Sequence, residues 1–368
     1  METKITFYPI GNADTTLIAL ANNQKVLFDY ANMRCADDPA DKRIDLPKEL
    51  NKVVTGDSYD VVCFTHMDND HICGFSEYFH LEHAKAYQGE GRKKIKEMWV
   101  PAAILLETSL DGEALTLRTE ARFRLRNKTG IRIFSRPKKL KQWCDQQLDI
   151  CFDDIKHLIV DAGTLVPDFT KQGNGVEFFV HSPFASETQQ IDRNNEAIVV
   201  QATFGDACET KLLLGSDLNS DAWSDIVKIT RHFGRDERLR WNIFHLSHHC
   251  SYTALNWEKG ETETKPTPEV KWLFENQGEN RCWIISPSWC IPTADTTQPP
   301  HKQAAAYYRK VANSKAGGFK VTMDHPTSGN PKPMTFVIDS LSCARLQIQA
   351  SAAFASFEQK PSRAGHGQ

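Results

Sequence analysis

An apolar segment that ends in four potential metal ligands constrains this chain more than any other feature of its sequence. The run "YDVVCF" is typical of a strand in the middle of a sheet that is covered on both faces. His66, Asp68, Asp70 and His71 follow within six positions. Such groups are costly to bury at the end of a strand unless a cation compensates them. We therefore predict a metal site at the end of this strand.

Short strand-like runs occur in both halves of the chain, on either side of a mainly helical middle. This order predicts an α+β protein, a four-layer αββα sandwich of two packed sheets with outer helices. We expect one domain over residues 1–345. Residues 107–171 are predicted to form a helical, partly basic insertion, and residues 346–368 a flexible tail.

The spacing of the four residues suits a shared ion. His66 and Asp68 are two apart, so on an extended segment they point to the same side, and Asp70 and His71 follow where the chain turns into a helix. Imidazole and carboxylate groups together suit Zn, Mn or Fe. We expect one or two divalent ions, with Mn or Zn preferred, because the carboxylate at Asp68 favours a hard ion.

The segment that contains these residues resembles the signature of a known family. "THMDNDHICG" resembles the HxHxDH signature of the metallo-β-lactamase fold, and three further segments follow in the family's order: "VLFDYAN" with Asp29, "LLLGSD" with Asp217, and "LSHHCS". The chain more specifically resembles the metallo-hydrolase domain of ComEC-type competence proteins, because Asp68 stands where the broader signature has its second histidine. The segment "NNEAIVV" and the late "PPH" also match that domain. It departs from that pattern at Phe75, Leu214 and Cys250.

The resemblance implies a set of site residues. The metal ligands would be His66, Asp68, Asp70, His71, Asp217 and one of the adjacent histidines 248 and 249. Only one of the two is expected to bind because neighbours on a strand face opposite sides, and His248 is preferred for its position in the motif. Asp70 would also orient or deprotonate the attacking water. His301 would lie within reach of a phosphate or leaving group, or be a loop residue without a role. Supporting positions around the ions would be Asp29, His181, Asn194, His249 and Ser251, although His181 is more readily a structural residue.

The resemblance further implies a metal-dependent phosphodiester hydrolase, with a nuclease acting on DNA or RNA preferred. A small cyclic-nucleotide phosphodiesterase is an alternative in the same class. The departures from the family pattern leave another class open, a metal-stabilised regulatory scaffold that works with a protein partner such as an ATPase. Thioester or lactam hydrolysis ranks lower because of Asp68.

The charge of the chain does not decide between these functions. A net charge of −3 predicts no global attraction to nucleic acid, so any such contact needs a local patch. The basic stretch within the middle segment is either such a patch, a polyanion-binding surface, or an ordinary solvated helix face. Its residues are Arg122, Arg124, Arg126, Lys128 and Arg132. Without a leader or an apolar run long enough for a membrane span, we expect a cytoplasmic protein with no membrane contact.

Overall fold

The computed structural model describes residues 2–135, 137–184, 192–205, 208–339 and 344–347. Within these residues the chain forms two β-sheets with helices on their outer faces, which confirms the predicted four-layer sandwich. All but the first two residues of the predicted tail, 346–368, lie outside the described part. None of the helices described here has the length and apolar character needed to cross a lipid bilayer.

The first sheet has nine strands in the order β15-β14-β1-β2-β3-β4-β5-β6-β7. Its central strands, β3 to β7, run parallel, and β15, β14, β1 and β2 pair antiparallel at one side. The strands are β1 (Thr3–Phe7), β2 (Thr16–Ala19), β3 (Lys25–Phe28), β4 (Ser58–Cys63), β5 (Lys94–Pro101), β6 (Ile131–Phe134), β7 (Ile159–Val160), β14 (Met334–Ile338) and β15 (Ala344–Leu346).

The second sheet has six strands in the order β13-β12-β11-β10-β9-β8. Strands β10 to β13 are parallel, and β8 and β9 are antiparallel. The strands are β8 (Val176–Ser182), β9 (Val199–Phe204), β10 (Thr210–Leu214), β11 (Trp241–His245), β12 (Gly278–Ser286) and β13 (Gly318–Val321).

Three apolar clusters separate the four layers. One lies between the sheets, with Phe28 and Val61 of the first facing Phe178 and Leu212 of the second. The other two lie beneath the outer helices of each sheet. The helices are α1 (Leu46–Val53), α2 (Asn69–Ile72), α3 (Phe75–Tyr78), α4 (Ala102–Leu106), α5 (Gly112–Arg126), α6 (Pro137–Cys144), α7 (Phe152–Ile155), α8 (Lys171–Asn174), α9 (Ser220–His232), α10 (Pro268–Gln277) and α11 (Lys302–Ser314).

The segment 107–171 contains more than helices. Helices α5, α6 and α7 lie within it, but so do β6 and β7, which extend the first sheet in parallel to β5. Strand β6 is only four residues long and β7 only two, so their apolar runs are too short to stand out from the surrounding helical pattern. The helical prediction is therefore incomplete for this segment.

The parallel strands position the site. The carboxyl ends of β3 and β4 in the first sheet lead into Asp29 and the segment from His66, and those of β10 and β11 in the second lead into Asp217 and the adjacent histidines. A hydrogen bond from Ile198 N to Thr65 O, of 3.0 Å, ties the sheets together there. Side chains from both sheets consequently meet at one edge of the sandwich.

Candidate metal centre

Asp29 organises the loop that follows β4. Its two carboxylate oxygens accept hydrogen bonds from Thr65 N and Thr65 Oγ1, both at 2.7 Å, and Oδ2 also accepts one from His71 Nδ1 at 2.8 Å. Because Nδ1 of His71 carries this proton, its Nε2 is left as the ligand atom. Asp29 is thus placed to orient a metal ligand, the role that the resemblance implies for it.

His66 lies next to His71, with ring centroids 3.9 Å apart. Its Nδ1 is 3.2 Å from Thr65 Oγ1, and its Nε2 has no hydrogen-bond partner although it is buried. Burial and the neighbouring His71 lower the pKa of His66 to about 4. A buried, neutral imidazole with a free nitrogen is the form in which histidine binds metal.

Asp217 reaches the same point from the second sheet. Its Oδ1 lies 3.3 Å from His71 Nε2 and its Oδ2 3.2 Å from His248 Nδ1. Ser216, which takes a left-handed φ of 45°, donates from Oγ to Thr65 Oγ1 at 2.9 Å. Ser216 therefore links the loops of the two sheets.

The two adjacent histidines lie in a short 3₁₀ turn, Ser247–Cys250, and not on a strand. Both have left-handed backbones with φ of 51°, so the strand alternation behind the expectation that only one of them binds does not apply. His249 is buried and donates from Nδ1 to the carbonyl of Pro287 at 2.9 Å, which leaves Nε2 2.9 Å from Asp70 Oδ2 and 3.7 Å from Asp217 Oδ2. The side chain of His248 is 33% exposed. The structure thus places His249 within the buried cluster and His248 at its rim.

The pKa values in this cluster are shifted in opposite directions. Burial alone would raise the pKa of Asp70, but the hydrogen bond and charge of His249, together with the charge of His71, lower it to about 2. Burial alone would lower the pKa of His249, but Asp217 and Asp70 raise it to about 9. In the absence of a cation, protonated imidazoles therefore balance the carboxylates.

Asp14 belongs to the cluster although nothing in the sequence singled it out. It is buried in the loop between β1 and β2, its N donates to Asp70 O at 3.0 Å, and its Oδ2 lies 3.9 Å from His71 Nε2. Burial raises its pKa to about 8 even though His71 and His249 oppose the shift. The signal that could have found it is a single acidic residue in the otherwise uncharged stretch "GNADTT" after the first strand.

The cluster fits a divalent ion. Asp70, His71, Asp217 and His249 each offer a ligand atom within 4.8 Å of the others, and Asp14, Asp29 and His71 form a second such group. Four buried atoms here lack hydrogen-bond partners: His66 Nε2, His71 Nε2, Asp14 Oδ1 and Asp217 Oδ1. Unpaired buried nitrogen and oxygen atoms are unfavourable, and a divalent ion would satisfy them. The donor set suits a borderline or hard ion.

Asp68 lies at the outer side of this cluster. Its Oδ2 is 3.9 Å from His66 Nε2, while its Oδ1 accepts a 2.8 Å hydrogen bond from Arg193 Nη1. It immediately precedes α2 without a side-chain hydrogen bond to that helix, and its side chain is 36% exposed. Arg193 was not predicted as a site residue.

The other predicted supporting residues occupy different surroundings. His181, the penultimate residue of β8, is buried, and its Nε2 lies 2.9 Å from the carbonyl oxygen of Arg238 while its ring contacts that of Phe179. Ser251 accepts a hydrogen bond from Thr253 N and so caps the turn after the histidines. Asn194 lies in the same turn as Arg193, and its carbonyl accepts from Ala197 N.

His301 lies behind the histidine turn. Its N donates to Cys250 O at 3.1 Å, its Nδ1 accepts from Tyr252 N at 3.4 Å, and its ring packs edge-on against Tyr252. Cys250, at the position of the family's glycine, has a left-handed φ of 65°, a conformation that glycine adopts without strain. These contacts place His301 where it supports the turn that carries His248 and His249.

The five predicted basic residues do not form one exposed surface. Arg124 and Arg132 are buried, and they pair with Glu120 and with Glu97 and Asp168. The remaining three have partners within the fold: Arg122 donates to Leu105 O, Arg126 pairs with Asp149, and Lys128 pairs with Asp154. These contacts hold helix α5 and β6 in place, which explains the local concentration of positive charge.

No protein-family model matches the chain. No curated protein matches it either. Among solved structures, it is similar to a diphosphatase of the PhnP family, at 10% identity and a TM-score of 0.36, over 87% of this chain and 94% of that one. It is also similar to a possible metal-dependent hydrolase from Veillonella parvula DSM 2008, at 12% identity and a TM-score of 0.37, over 86% and 94%. A long-form RNase Z from yeast matches at 11% identity and a TM-score of 0.34, over 78% of this chain and 40% of that one.

Proposed function

We propose that this protein is a metal-dependent hydrolase of phosphodiesters, with nucleic acid as its preferred substrate. The observation that carries the proposal is the set of four buried ligand atoms without hydrogen-bond partners where the strand ends of the two sheets meet. A divalent ion bound there would lower the pKa of a coordinated water and neutralise charge on a phosphate oxygen. The residues that would hold it are His66, His71, Asp217, His249 and Asp14, with Asp68 and Asp70 at the side open to solvent.

Asp70 is the residue best placed to take a proton from the attacking water. Its side chain is 29% exposed, in contrast to the fully enclosed Asp14 and Asp217. Its low pKa keeps it ionised at neutral pH. Its Oδ2 is fixed by the 2.9 Å contact with His249, and the other oxygen remains to orient the water.

Phosphodiesters are favoured over other esters by the balance of the ligand set. Four carboxylates, of Asp14, Asp68, Asp70 and Asp217, accompany three imidazoles in the cluster, and carboxylate ligands favour harder ions, which in turn prefer phosphate oxygens. Nucleic acid is a polymer of such diesters, whereas cyclic nucleotides are small ones. Both classes are hydrolysed by the same in-line displacement, so the choice between them needs an experiment.

Metal analysis of the purified protein followed by a cleavage assay with added Mn²⁺ tests the proposal. We expect cleavage of single- or double-stranded DNA or RNA by the wild-type protein, and its loss in an Asp70→Asn variant that still binds metal. A parallel assay with small cyclic diesters separates polymer from nucleotide substrates. Absence of hydrolysis of every phosphodiester by the metal-loaded wild type would contradict the proposal and favour a regulatory scaffold.

A further inference from the structure

Arg193 joins the rim of the metal centre to the end of helix α4. Its Nη1 donates to Asp68 Oδ1 at 2.8 Å, and its Nη2 donates to Glu107 Oε1 at 2.6 Å. Its Nε also donates to Glu107, 3.0 Å from Oε2. The two N–H groups on Glu107 form a bidentate pair, so the guanidinium plane is held in one orientation.

The guanidinium retains donors that the fold does not use. Arginine has five N–H groups, and the contacts with Asp68 and Glu107 engage one each on Nε, Nη1 and Nη2. One N–H on each terminal nitrogen is left without a partner among the described residues. The side chain is 34% exposed, so a molecule that enters from solvent can reach it.

Asp68 connects this cation to the metal cluster. One of its oxygens lies 2.8 Å from Arg193 Nη1, and the other lies 3.9 Å from the unpaired Nε2 of His66. A single carboxylate thus separates the guanidinium from the buried ligand atoms. A group that contacts both the cluster and Arg193 need span only that short distance.

A divalent ion in the cluster would change the charge beside the rim. Two carboxylates, of Asp68 and Glu107, face one guanidinium, and this arrangement leaves no positive charge for a ligand in the metal-free protein. The ion would add positive charge beyond Asp68 as seen from Arg193, and the carboxylates that hold it would offset part of that charge. Arginine's planar fork matches the oxygens of a phosphate.

We propose that Arg193 is a substrate-binding residue that donates hydrogen bonds to a non-bridging phosphate oxygen at the mouth of the metal centre. Glu107 and Asp68 hold the guanidinium ready for this contact, so little ordering is needed when the substrate arrives. The inference rests on the proposed function, since it assigns the phosphate-recognising cation of that same site. It also gives a cationic contact beside the site, whereas the five basic residues from Arg122 to Arg132 do not form one exposed surface.

Binding of inorganic phosphate to the metal-loaded protein, measured by titration calorimetry, tests the inference without any need for turnover. Arg193→Met should bind phosphate about 10-fold or more weakly, the effect of losing a charged hydrogen-bond donor, with unchanged metal content. Arg193→Lys should fall between this variant and wild type, because lysine keeps the charge but not the fork. The matched control is Arg118→Met, since among the described residues Arg118 donates only to the main-chain carbonyl of Glu107.

Three outcomes would overturn the inference. One is phosphate binding by Arg193→Met that equals wild type at equal metal content. Another is a loss of phosphate binding that merely follows a loss of metal, which would make Arg193 a support for Asp68. The third is failure of phosphate to bind the metal-loaded wild type. If instead phosphate binding depends on Arg193 but no phosphodiester is hydrolysed, the proposed function fails while this inference stands.

Discussion

Asp29 Oδ2 and His71 Nδ1 lie 2.8 Å apart and are both buried, and this contact fixes which nitrogen of His71 faces the cluster. The same carboxylate holds Thr65 through its main-chain N and its hydroxyl. One side chain from the end of β3 therefore sets both the tautomer of a ligand and the path of the loop that carries it.

Replacement of Asp29 by Asn should weaken metal binding while the fold is kept. Loss of a supporting partner of a ligating histidine typically lowers metal affinity by about 10–100-fold, and we expect an effect in that range from competition with a chelator. Asp60→Asn is the matched control, because Asp60 Oδ2 accepts from Lys25 N between the same two strands but at their far end. Equal affinity of Asp29→Asn and wild type would refute the role given to Asp29.

His249 should matter more than His248 for metal binding. Its Nδ1 is committed to the carbonyl of Pro287, so its Nε2 is directed at Asp70 and Asp217, whereas His248 lies at the rim. We expect His249→Ala to lower metal affinity by more than the roughly 100-fold upper range for supporting residues, and His248→Ala by less. Metal content after dialysis against a graded chelator gives the comparison, and the opposite ranking would restore the sequence-based preference for His248.

The layered architecture could be predicted from the sequence because it follows from local patterns of apolar and polar residues. Apolar runs such as "YDVVCF" report burial on both faces, and polar residues directly after them report where a strand ends. The parallel arrangement then brings such ends together, so His66, His71 and Asp217 could be expected to meet. The short strands β6 and β7 carry too few residues for the same signal.

What the sequence did not predict depends on the backbone and on distant partners. Alternation along a strand was applied to His248 and His249, but their left-handed conformation makes that rule inapplicable. Asp14 and Arg193 reach the site from loops 52 residues before and 127 residues after His66. The isolated charge of Asp14 within "GNADTT" is a weak local signal, and Arg193 has none. The basic residues around Arg122 were expected to be exposed, on a polyanion-binding surface or on a solvated helix face, because sequence cannot show that Arg124 and Arg132 are buried.

A glycine beside the cluster should not tolerate a side chain. A Cβ on Gly215 would lie 2.5 Å from Ser247 Oγ and 2.8 Å from the carbonyl oxygen of His245. We expect Gly215→Ala to lower the free energy of unfolding by about 1–3 kcal/mol, as overpacking does, measured by urea denaturation. Gly56→Ala is the control, since a Cβ there meets nothing within 4 Å and should change stability by no more than about 0.5 kcal/mol. Equal stability of the two variants would mean that the end of β10 adapts freely.

His181 should make the metal-free protein less stable in mild acid. Burial lowers its pKa from 6.5 to about 4, although the contact with the Arg238 carbonyl opposes the shift. As the pH falls below 6.5, His181 therefore takes up a proton in the unfolded chain but not in the folded protein. The free energy of unfolding decreases until the pH approaches 4. At about 1.4 kcal/mol per pH unit, the decrease in the free energy of unfolding amounts to at most roughly 3 kcal/mol.

Urea denaturation with a chelator present, at pH 7.5 and pH 5, tests this prediction. The free energy of unfolding should decrease less for His181→Gln than for wild type, and His232→Gln, at the end of α9, serves as the exposed control. The same loss in wild type and His181→Gln would show that other buried groups carry the acid sensitivity.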